Sequence, residues 1–312
     1  MSKVIKIKFF LLLLFTTFGN ALIVSAQSDA LYSQYMFNQF TINPAYAGSR
    51  DALSSVLLYR TQWVGLEGAP NTVNLSAHSP FKSKNMALGV NVVLDEIGPT
   101  RSSAFQGTYA YHVKTQYGDL SFGLRGGFLS TTLQKSMLNF VESNDKHDDN
   151  VSLQAIQPNF DFGTYFYNDY FYAGFSFSHI QGNSLVIQES SVTSLELNRY
   201  FNFATGGAIE LKNNLVYKPS IMLKYLPGMP LNYDINSSIL LNKVLWVGGS
   251  YRSTKNIVLL LEYNVNDHVR MGYSYDFDLS PLRNTNSGSH EIFLGTDLNI
   301  SKKSPSTSPR YL

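Results

Sequence analysis

The chain has 312 residues, no cysteine and a formal net charge of +2. Without cysteine there are no disulfides and no thiol chemistry, and a near-neutral charge gives no electrostatic reason to expect nucleic acid as a partner. Charged residues make up 15% and aromatic residues 14% of the chain, whereas soluble domains carry about 25% charged residues. This composition is unusual for a soluble globular protein.

The first 26 residues have the pattern of an export signal. Three lysines at positions 3, 6 and 8 are followed by a mostly apolar stretch, and Val24-Ser25-Ala26 offers a small-residue cleavage site. A membrane anchor is the alternative, but polar residues and a glycine between positions 16 and 20 interrupt the apolar stretch. We predict a cleavable signal peptide (1–26). Since no Cys follows the cleavage site, a bacterial lipid anchor is excluded.

The next segment, residues 27–52, shows no two-residue alternation of apolar and polar side chains. It is rich in aromatic residues, and Asn43-Pro44 marks a turn. We predict a non-barrel segment that packs onto another part of the fold, as a lining or plug at one end of a barrel.

Residues 53–300 repeat one unit, which is about ten alternating residues followed by a turn. In Val269–Phe277 the odd positions are large and apolar, and the even positions are small or charged. Successive side chains of a strand point to opposite faces, so each unit has an apolar and a polar face. No stretch after residue 26 has the roughly 18 apolar residues of a spanning helix. This pattern predicts an all-β fold, a transmembrane antiparallel outer-membrane β-barrel.

We predict about 14 strands, an even number as in single-chain bacterial barrels. They are Ser54–Val64, Asn71–Phe81, Asn85–Leu94, Ser102–Lys114, Asp119–Leu129, Pro158–Tyr167, Tyr170–Ile180, Tyr200–Leu211, Leu215–Tyr225, Leu231–Asn242, Val244–Arg252, Asn256–Val265, Val269–Phe277 and His290–Ile300.

The connections carry further expectations. Residues 130–157 hold a polar patch (142–150) and residues 181–199 are rich in Ser, so both stretches are predicted to be long loops, which lie on the extracellular side of such barrels. The end of the chain, 301–312, is basic and rich in Pro and Ser, so we predict a flexible C-terminal tail. Aromatic residues near strand ends are predicted to form interfacial girdles. These residues are Tyr59, Trp63, Tyr109, Tyr165, Tyr217 and Trp246.

Six charged residues lie within the predicted strands: Arg60, Arg125, Lys218, Arg252, Arg270 and Asp276. A lysine or arginine that faces lipid near the membrane centre costs about 2–4 kcal/mol. We therefore predict that these side chains face the lumen or lie near a membrane boundary. In the lumen they are expected to pair with acids and fill the barrel. A conducting or substrate-binding role is the alternative.

Motifs of known enzymes are missing from the sequence, which contains no His-Glu-x-x-His, no Gly-x-Ser-x-Gly and no P-loop. The six histidines show no metal-ligand spacing. The acidic stretch 145–149 lacks the Gly and the terminal Glu of a calcium loop. We predict no enzyme activity, no cofactor and no metal.

Several short motifs follow one another along the mature chain. The first are Ser33–Asn38 (SQYMFN), Asn43–Gly48 (NPAYAG) and Tyr59–Trp63 (YRTQW), and later ones are Gly272–Asp276 (GYSYD) and Gly288–Ile292 (GSHEI). Together they resemble the PorP/SprF family, outer-membrane proteins of the type IX secretion and gliding motility systems of Bacteroidetes. The resemblance covers nearly the whole mature chain.

The resemblance implies an accessory of the type IX secretion system in the bacterial outer membrane. It implies binding, and delivery or anchoring, of a secreted surface protein with a C-terminal sorting domain, and coupling to periplasmic or lipoprotein components. The other expected partner is outer-membrane lipid. The resemblance also marks a candidate plug or partner-docking element within the N-terminal segment. Its residues are Tyr35, Phe37, Asn38, Asn43, Pro44, Tyr46 and Gly48.

Three alternatives remain at the level of sequence. An outer-membrane transporter of small hydrophobic molecules would share the barrel and would need a lateral opening or an apolar lumen pocket. A secreted β-sandwich acting as an adhesin would share the alternation, although it would not need so many aromatic residues. A barrel enzyme such as a lipase would need a Ser–His pair, and none can be assigned.

Overall fold

The computed structural model describes residues 30–81, 85–137, 152–182, 184–186, 194–212 and 215–299. The predicted signal peptide (1–26), the acidic stretch 145–149 and the C-terminal tail (301–312) lie outside the described residues.

Fourteen antiparallel strands form a closed barrel, as the alternation predicts. Each wall strand pairs with the next wall strand along the chain, and the first wall strand pairs with the last to close the sheet. The wall strands are β1 (Ala52–Thr61), β2 (Asn71–Pro80), β3 (Met86–Ile97), β4 (Thr100–Thr115), β5 (Gly118–Leu133), β6 (Leu153–Tyr167), β7 (Phe171–Ser178), β10 (Tyr200–Gly207), β12 (Val216–Tyr225), β13 (Asn232–Leu241), β14 (Leu245–Arg252), β15 (Asn256–Asn264), β16 (Val269–Asp278) and β17 (Ser289–Asn299). A two-residue strand, β11 (Ile209–Glu210), extends β10 along β12.

The two faces of the wall follow the alternation. On β16, Met271, Tyr273 and Phe277 are exposed on the outside, whereas Arg270 and Asp276 are buried inside. Large apolar side chains cover the outer surface all around the barrel, which suits contact with lipid. Closing the sheet pairs the backbone N–H and C=O groups of neighbouring strands, which is what a strand must do to cross a membrane.

The two ends of the barrel differ in the length of their connections. The end that we call the long-loop end carries the connections 62–70 and 279–288, together with the described residues that follow β5 and β7 and precede β6 and β10 (134–137, 179–182, 152 and 197–199). The opposite end, the short-turn end, carries turns such as 116–117 and 168–170, together with the start of β1 and the end of β17. In outer-membrane barrels the longer loops face the cell exterior.

Three expectations need correction. Residues 130–157 are not all loop, because β5 continues to Leu133 and β6 starts at Leu153, so the paired wall continues into the polar region. Within 181–199 a small hairpin pairs β8 (Ser184–Val186) with β9 (Ser194–Glu196). Two of the predicted girdle residues, Tyr165 and Trp246, face the lumen, where they are 2% and 3% exposed.

Helices play a minor part in the described ranges. They are short 3₁₀ turns, and none of them is long and apolar enough to span a membrane.

Candidate functional site

The N-terminal segment, which we define as residues 30–51, runs through the inside of the barrel. Its backbone forms three 3₁₀ turns, Tyr35–Phe37, Gln39–Thr41 and Pro44–Tyr46, and its side chains are mostly buried. It starts beside residues near the long-loop end and reaches the short-turn end at Arg50, where β1 begins.

The N-terminal segment folds into short 3₁₀ turns because the wall around it is closed. A closed barrel has no free strand edge with which the segment could pair. The 3₁₀ turns satisfy part of the backbone locally, for example through Phe37 N to Gln34 O and Tyr46 N to Asn43 O. The remaining buried carbonyls need donors from the wall, since an unpaired buried backbone group is costly.

Wall cations supply those donors. Lys218 Nζ donates to the carbonyl of Met36 at 3.2 Å, and Arg270 Nη1 donates to the carbonyl of Phe37 at 3.0 Å. Arg125 donates to the carbonyls of both Phe40 and Thr41.

Aromatic rings of the same region lie beneath these cations. Lys218 Nζ lies 5.5 Å from the ring centre of Phe37 and 5.7 Å from that of Trp246. The Arg125 guanidinium lies 4.8 Å from the ring centre of Phe40. Each cation therefore combines a hydrogen bond with a cation–π contact.

A buried ion network holds the first turn. Ser33 Oγ donates to the Asp276 carboxylate at 2.8 Å and accepts from Arg60 Nη1 at 2.9 Å. The carboxylate of Glu291 accepts the backbone N–H groups of Ser33 and Gln34, each at 2.9 Å. Arg60 joins the two acids, at 2.7 Å to Asp276 and 3.2 Å to Glu291.

A second arginine completes this network. Arg252 pairs with Asp234 at 3.1 Å and with Asp276 at 3.4 Å. Its Nη2 donates to the Tyr32 carbonyl at 3.3 Å. A buried ion network is costly to disrupt, because removal of one partner leaves another charge uncompensated.

The Asn43-Pro44 turn lies against glycines of three neighbouring strands. Asn43 Nδ2 donates to the carbonyls of Thr164 and Phe175 on the wall, and its Oδ1 caps the turn by accepting from Ala45 N at 2.9 Å. A Cβ at Gly123 would overlap Ala45, and a Cβ at Gly163 would overlap Asn43 Oδ1. The wall is thus free of side chains where the turn approaches it.

The last part of the segment meets two wall histidines. Gly48, at a positive φ of 78°, donates its N–H to His78 Nδ1 at 3.1 Å, and His112 Nε2 lies 2.9 Å from the Ala47 carbonyl. Beyond them, Arg50 pairs with Asp297 at 2.7 Å.

All seven predicted plug residues lie in this buried region: Tyr35, Phe37, Asn38, Asn43, Pro44, Tyr46 and Gly48. All six predicted lumen charges are buried inside the barrel, and each of them hydrogen-bonds to the N-terminal segment: Arg60, Arg125, Lys218, Arg252, Arg270 and Asp276. The two candidate sets therefore contact each other inside the barrel.

Sequence reasoning did not single out the acids of this site: Asp161, Asp234, Glu262, Glu291 and Asp297. The alternation could have indicated these acids, since each of them lies on the polar face of its strand. The glycines opposite Asn43 carry no such signal, because nothing in the sequence indicates what they approach.

Between the N-terminal segment and the long-loop end, one side of the lumen remains open. This cavity, which we call the vestibule, has a volume of about 490 Å³. Tyr35, Thr41 and Ile42 of the segment line its inner side, while strands β3–β7, β10 and β12 form its wall. It reaches the loops at Trp63 and Leu226.

Within the described residues, no group of three or more His, Asp or Glu side chains is arranged to hold a metal ion.

Comparison with known proteins identifies the family. The model of the type IX secretion system membrane protein PorP/SprF matches residues 24–296. The chain belongs to the PorP/SprF family. No curated protein sequence matches it. PorP/SprF membership and the barrel fold make it a type IX secretion-associated barrel of the outer membrane.

Solved structures share the fold at low sequence identity. The Pseudomonas putida toluene transporter TodX matches with a TM-score of 0.51 at 11% identity, over 88% of this chain and 95% of that one. A Pseudomonas aeruginosa FadL homologue has a TM-score of 0.49 at 11% identity, over 83% and 93% of the two chains. Acinetobacter baumannii Omp33 has a TM-score of 0.46 at 9% identity, over 80% and 99%.

Proposed function

We propose that this PorP/SprF protein is a binding accessory of the type IX secretion system. It holds a secreted surface protein with a C-terminal sorting domain at the long-loop end and delivers or anchors it there, without catalysis. The observation that carries this choice over transport is the occupied lumen. Wall cations and acids bind the N-terminal segment along most of its length. The segment therefore obstructs the path that a solute would take through the centre of the barrel.

The N-terminal segment acts as a plug in this proposal. Its contacts with β1, β5, β12, β14, β16 and β17 tie opposite sides of the wall together. A rigid and closed barrel suits a protein that presents a fixed surface to a partner. It suits less well a channel that must open to conduct.

The two ends then take different partners. Export through a cleavable signal peptide (1–26) would deliver the chain to the outer membrane. The long-loop end faces the exterior and meets the cargo. The short-turn end meets periplasmic or lipoprotein components of the secretion machinery, and it exposes Tyr117 and Tyr170 on neighbouring turns, with exposed fractions of 73% and 70%.

Photo-crosslinking in the protein's own cells tests the proposal. A photoreactive amino acid is placed at Leu282 in the long-loop end or at Tyr117 in the short-turn end, both of which are exposed. Adducts are purified in mild detergent and identified by mass spectrometry. Leu282 is expected to capture a surface protein with a C-terminal sorting domain, and Tyr117 is expected to capture a periplasmic or lipoprotein component.

The matched control is Phe105, which is exposed in the middle of the lipid-facing wall and should capture neither partner. If Leu282 yields only lipid or lipopolysaccharide adducts while the barrel is folded, cargo binding at this end is wrong. Equal capture of the same cargo from Phe105 would also contradict it.

A further inference from the structure

The vestibule, which the N-terminal segment does not fill, has the features of a ligand site. Its volume of about 490 Å³ lies in the range of about 300–1,000 Å³ typical of ligand pockets. Since the N-terminal segment lines its inner side, a ligand must enter from the long-loop end and stop at Thr41 and Ile42.

Side-chain carboxamides form a fixed ladder across the vestibule wall. Asn91 Nδ2 donates to Gln106 Oε1 at 3.4 Å, and Gln106 Nε2 donates to Asp161 Oδ2 at 3.1 Å. On the neighbouring strand β2, Asn74 donates to Asn91 at 2.8 Å. A carboxamide has two donors and an acceptor oxygen with two lone pairs, so these bonds orient the groups and leave capacity for a ligand.

The carboxamides continue on the far side of the ladder. Asn159 Oδ1 lies 2.8 Å from His179 Nδ1. Asn202 donates to Ser176 at 3.2 Å. Both of these contacts join residues of the barrel wall and do not involve the N-terminal segment.

Charges in the vestibule wall are balanced within the protein. Asp161 lies 3.9 Å from Arg125 and also accepts the His179 N–H at 3.1 Å. Lys224 Nζ lies 4.2 Å from the ring centre of Tyr200. The lining contains two acids, Asp95 and Asp161, and two cations, Arg125 and Lys224, so the wall offers no strong preference for a charged ligand.

Apolar side chains also line the vestibule. Val93, Leu129 and Met222 belong to the same lining as the carboxamides. A hydrocarbon would displace water from the donors and acceptors that the carboxamides still have free and would leave these unsatisfied, which is costly. A sugar would place hydroxyls against the apolar patches. A polypeptide segment has backbone amides for the carboxamides and apolar side chains for the patches.

We propose that the vestibule binds a short, uncharged, extended polypeptide segment that enters from the long-loop end. The proposal concerns the chemistry of the ligand and does not depend on which protein supplies it. It therefore goes beyond cargo binding as such, and a test on purified protein can fail while cargo capture in cells succeeds.

The chain offers a built-in reporter for binding. It has two tryptophans, of which Trp63 lines the vestibule and Trp246 is buried against Phe37. The full barrel, purified in detergent, is titrated with a library of N-acetylated, C-amidated hexapeptides of uncharged composition, with maltohexaose and with toluene. We expect saturable changes in fluorescence with peptides only, and loss of the signal in Trp63→Phe.

Two variants and two controls localise the site. Ala104→Trp fills the vestibule from the inner face of β4, and Ser103→Trp adds the same bulk to the outer face. Asn159→Leu with Asn202→Leu removes two carboxamides, and Asn236→Leu removes a lumen-facing carboxamide that does not line the vestibule.

Peptide affinity should fall roughly tenfold in the Asn159/Asn202 double variant, as expected for two lost hydrogen bonds, and should be abolished by Ala104→Trp. Both control variants should bind normally. Tighter binding of toluene or maltohexaose than of every peptide would overturn the proposal. Peptide binding that survives Ala104→Trp, in a barrel that keeps its heat-dependent gel shift, would also overturn it.

Discussion

Arg270 of β16 donates from Nη1 to the backbone carbonyl of Phe37 at 3.0 Å, although the two residues are 233 positions apart in sequence. The same arginine lies 3.7 Å from Glu262 and 5.3 Å from the ring centre of Phe293. One side chain thus joins the N-terminal segment, a wall acid and a wall aromatic. The other lumen cations act in the same way, because their N–H groups donate hydrogen bonds to backbone carbonyls of the irregular N-terminal segment or to its side chains.

The first prediction concerns the Arg60 network. Arg60→Met removes the guanidinium of a residue that is 1% exposed and leaves Asp276 and Glu291 partly uncompensated. Loss of one partner from a buried ion pair costs about 3–5 kcal/mol. We expect the free energy of unfolding, measured by denaturant titration of the barrel in lipid vesicles, to fall by that amount.

Arg101→Met is the matched control. Arg101 pairs with Glu96 at 2.9 Å, but both side chains are 54% exposed, and exposed pairs contribute about 0–1 kcal/mol. Equal losses in the two variants would mean that the buried network does not hold the segment.

The second prediction concerns conductance. The intact barrel should show little ion current in planar bilayers, because the N-terminal segment fills the lumen. Removing residues 30–50 should open a polar path lined by charges such as Arg125 and Lys218, and single-channel currents should appear. Comparable currents from the intact protein would contradict the proposed plug.

Folding of the deletion variant must be checked separately. A heat-dependent gel shift and a β-rich circular dichroism spectrum would show that the wall still closes without the segment. A double variant with Arg60→Met and Asp276→Asn gives a second route to the same measurement, since it loosens the first turn of the segment while keeping the chain length.

For much of the wall, the face that a side chain takes can be predicted from whether its residue number is odd or even within the strand. Position 246 has the same parity as Arg252 on β14, so Trp246 faces the lumen with that charge. Tyr165 likewise shares its face with Asp161 and Gly163. The prediction of girdles used residue type and position along the strand, and it was wrong for these two because it ignored parity.

The path of the N-terminal segment could not be read in this way. It has no periodicity, and its partners lie up to 258 positions away, as between Ser33 and Glu291. Which wall charge meets which carbonyl depends on the stagger of the strands around the barrel. That stagger follows from strand pairing and is not encoded in any local pattern.

The third prediction concerns the glycines that face Asn43. Gly163→Ala places a Cβ on Asn43 Oδ1, which is already bound to Ala45 N. Overpacking of this kind costs about 1–3 kcal/mol. We expect the free energy of unfolding to fall by that amount and proteolysis within the N-terminal segment to become faster. Gly249→Ala is the control, because its Cβ would lie 3.5 Å from the nearest atom, and it should stay within about 0.5 kcal/mol.

The last prediction concerns the direction in which the N-terminal segment runs. Ala30 lines the vestibule near the long-loop end, whereas Arg50 reaches the short-turn end.

Because the chain has no cysteine, single-cysteine variants can be labelled without background. Ala30→Cys should react with a membrane-impermeant maleimide on intact cells, as should Thr254→Cys in a long-loop-end turn. Asp169→Cys, in a short-turn-end connection, should react only after the outer membrane is permeabilised. Labelling of Ala30→Cys only after permeabilisation, with Thr254→Cys still reactive on intact cells, would mean that the segment enters the barrel from the periplasmic side.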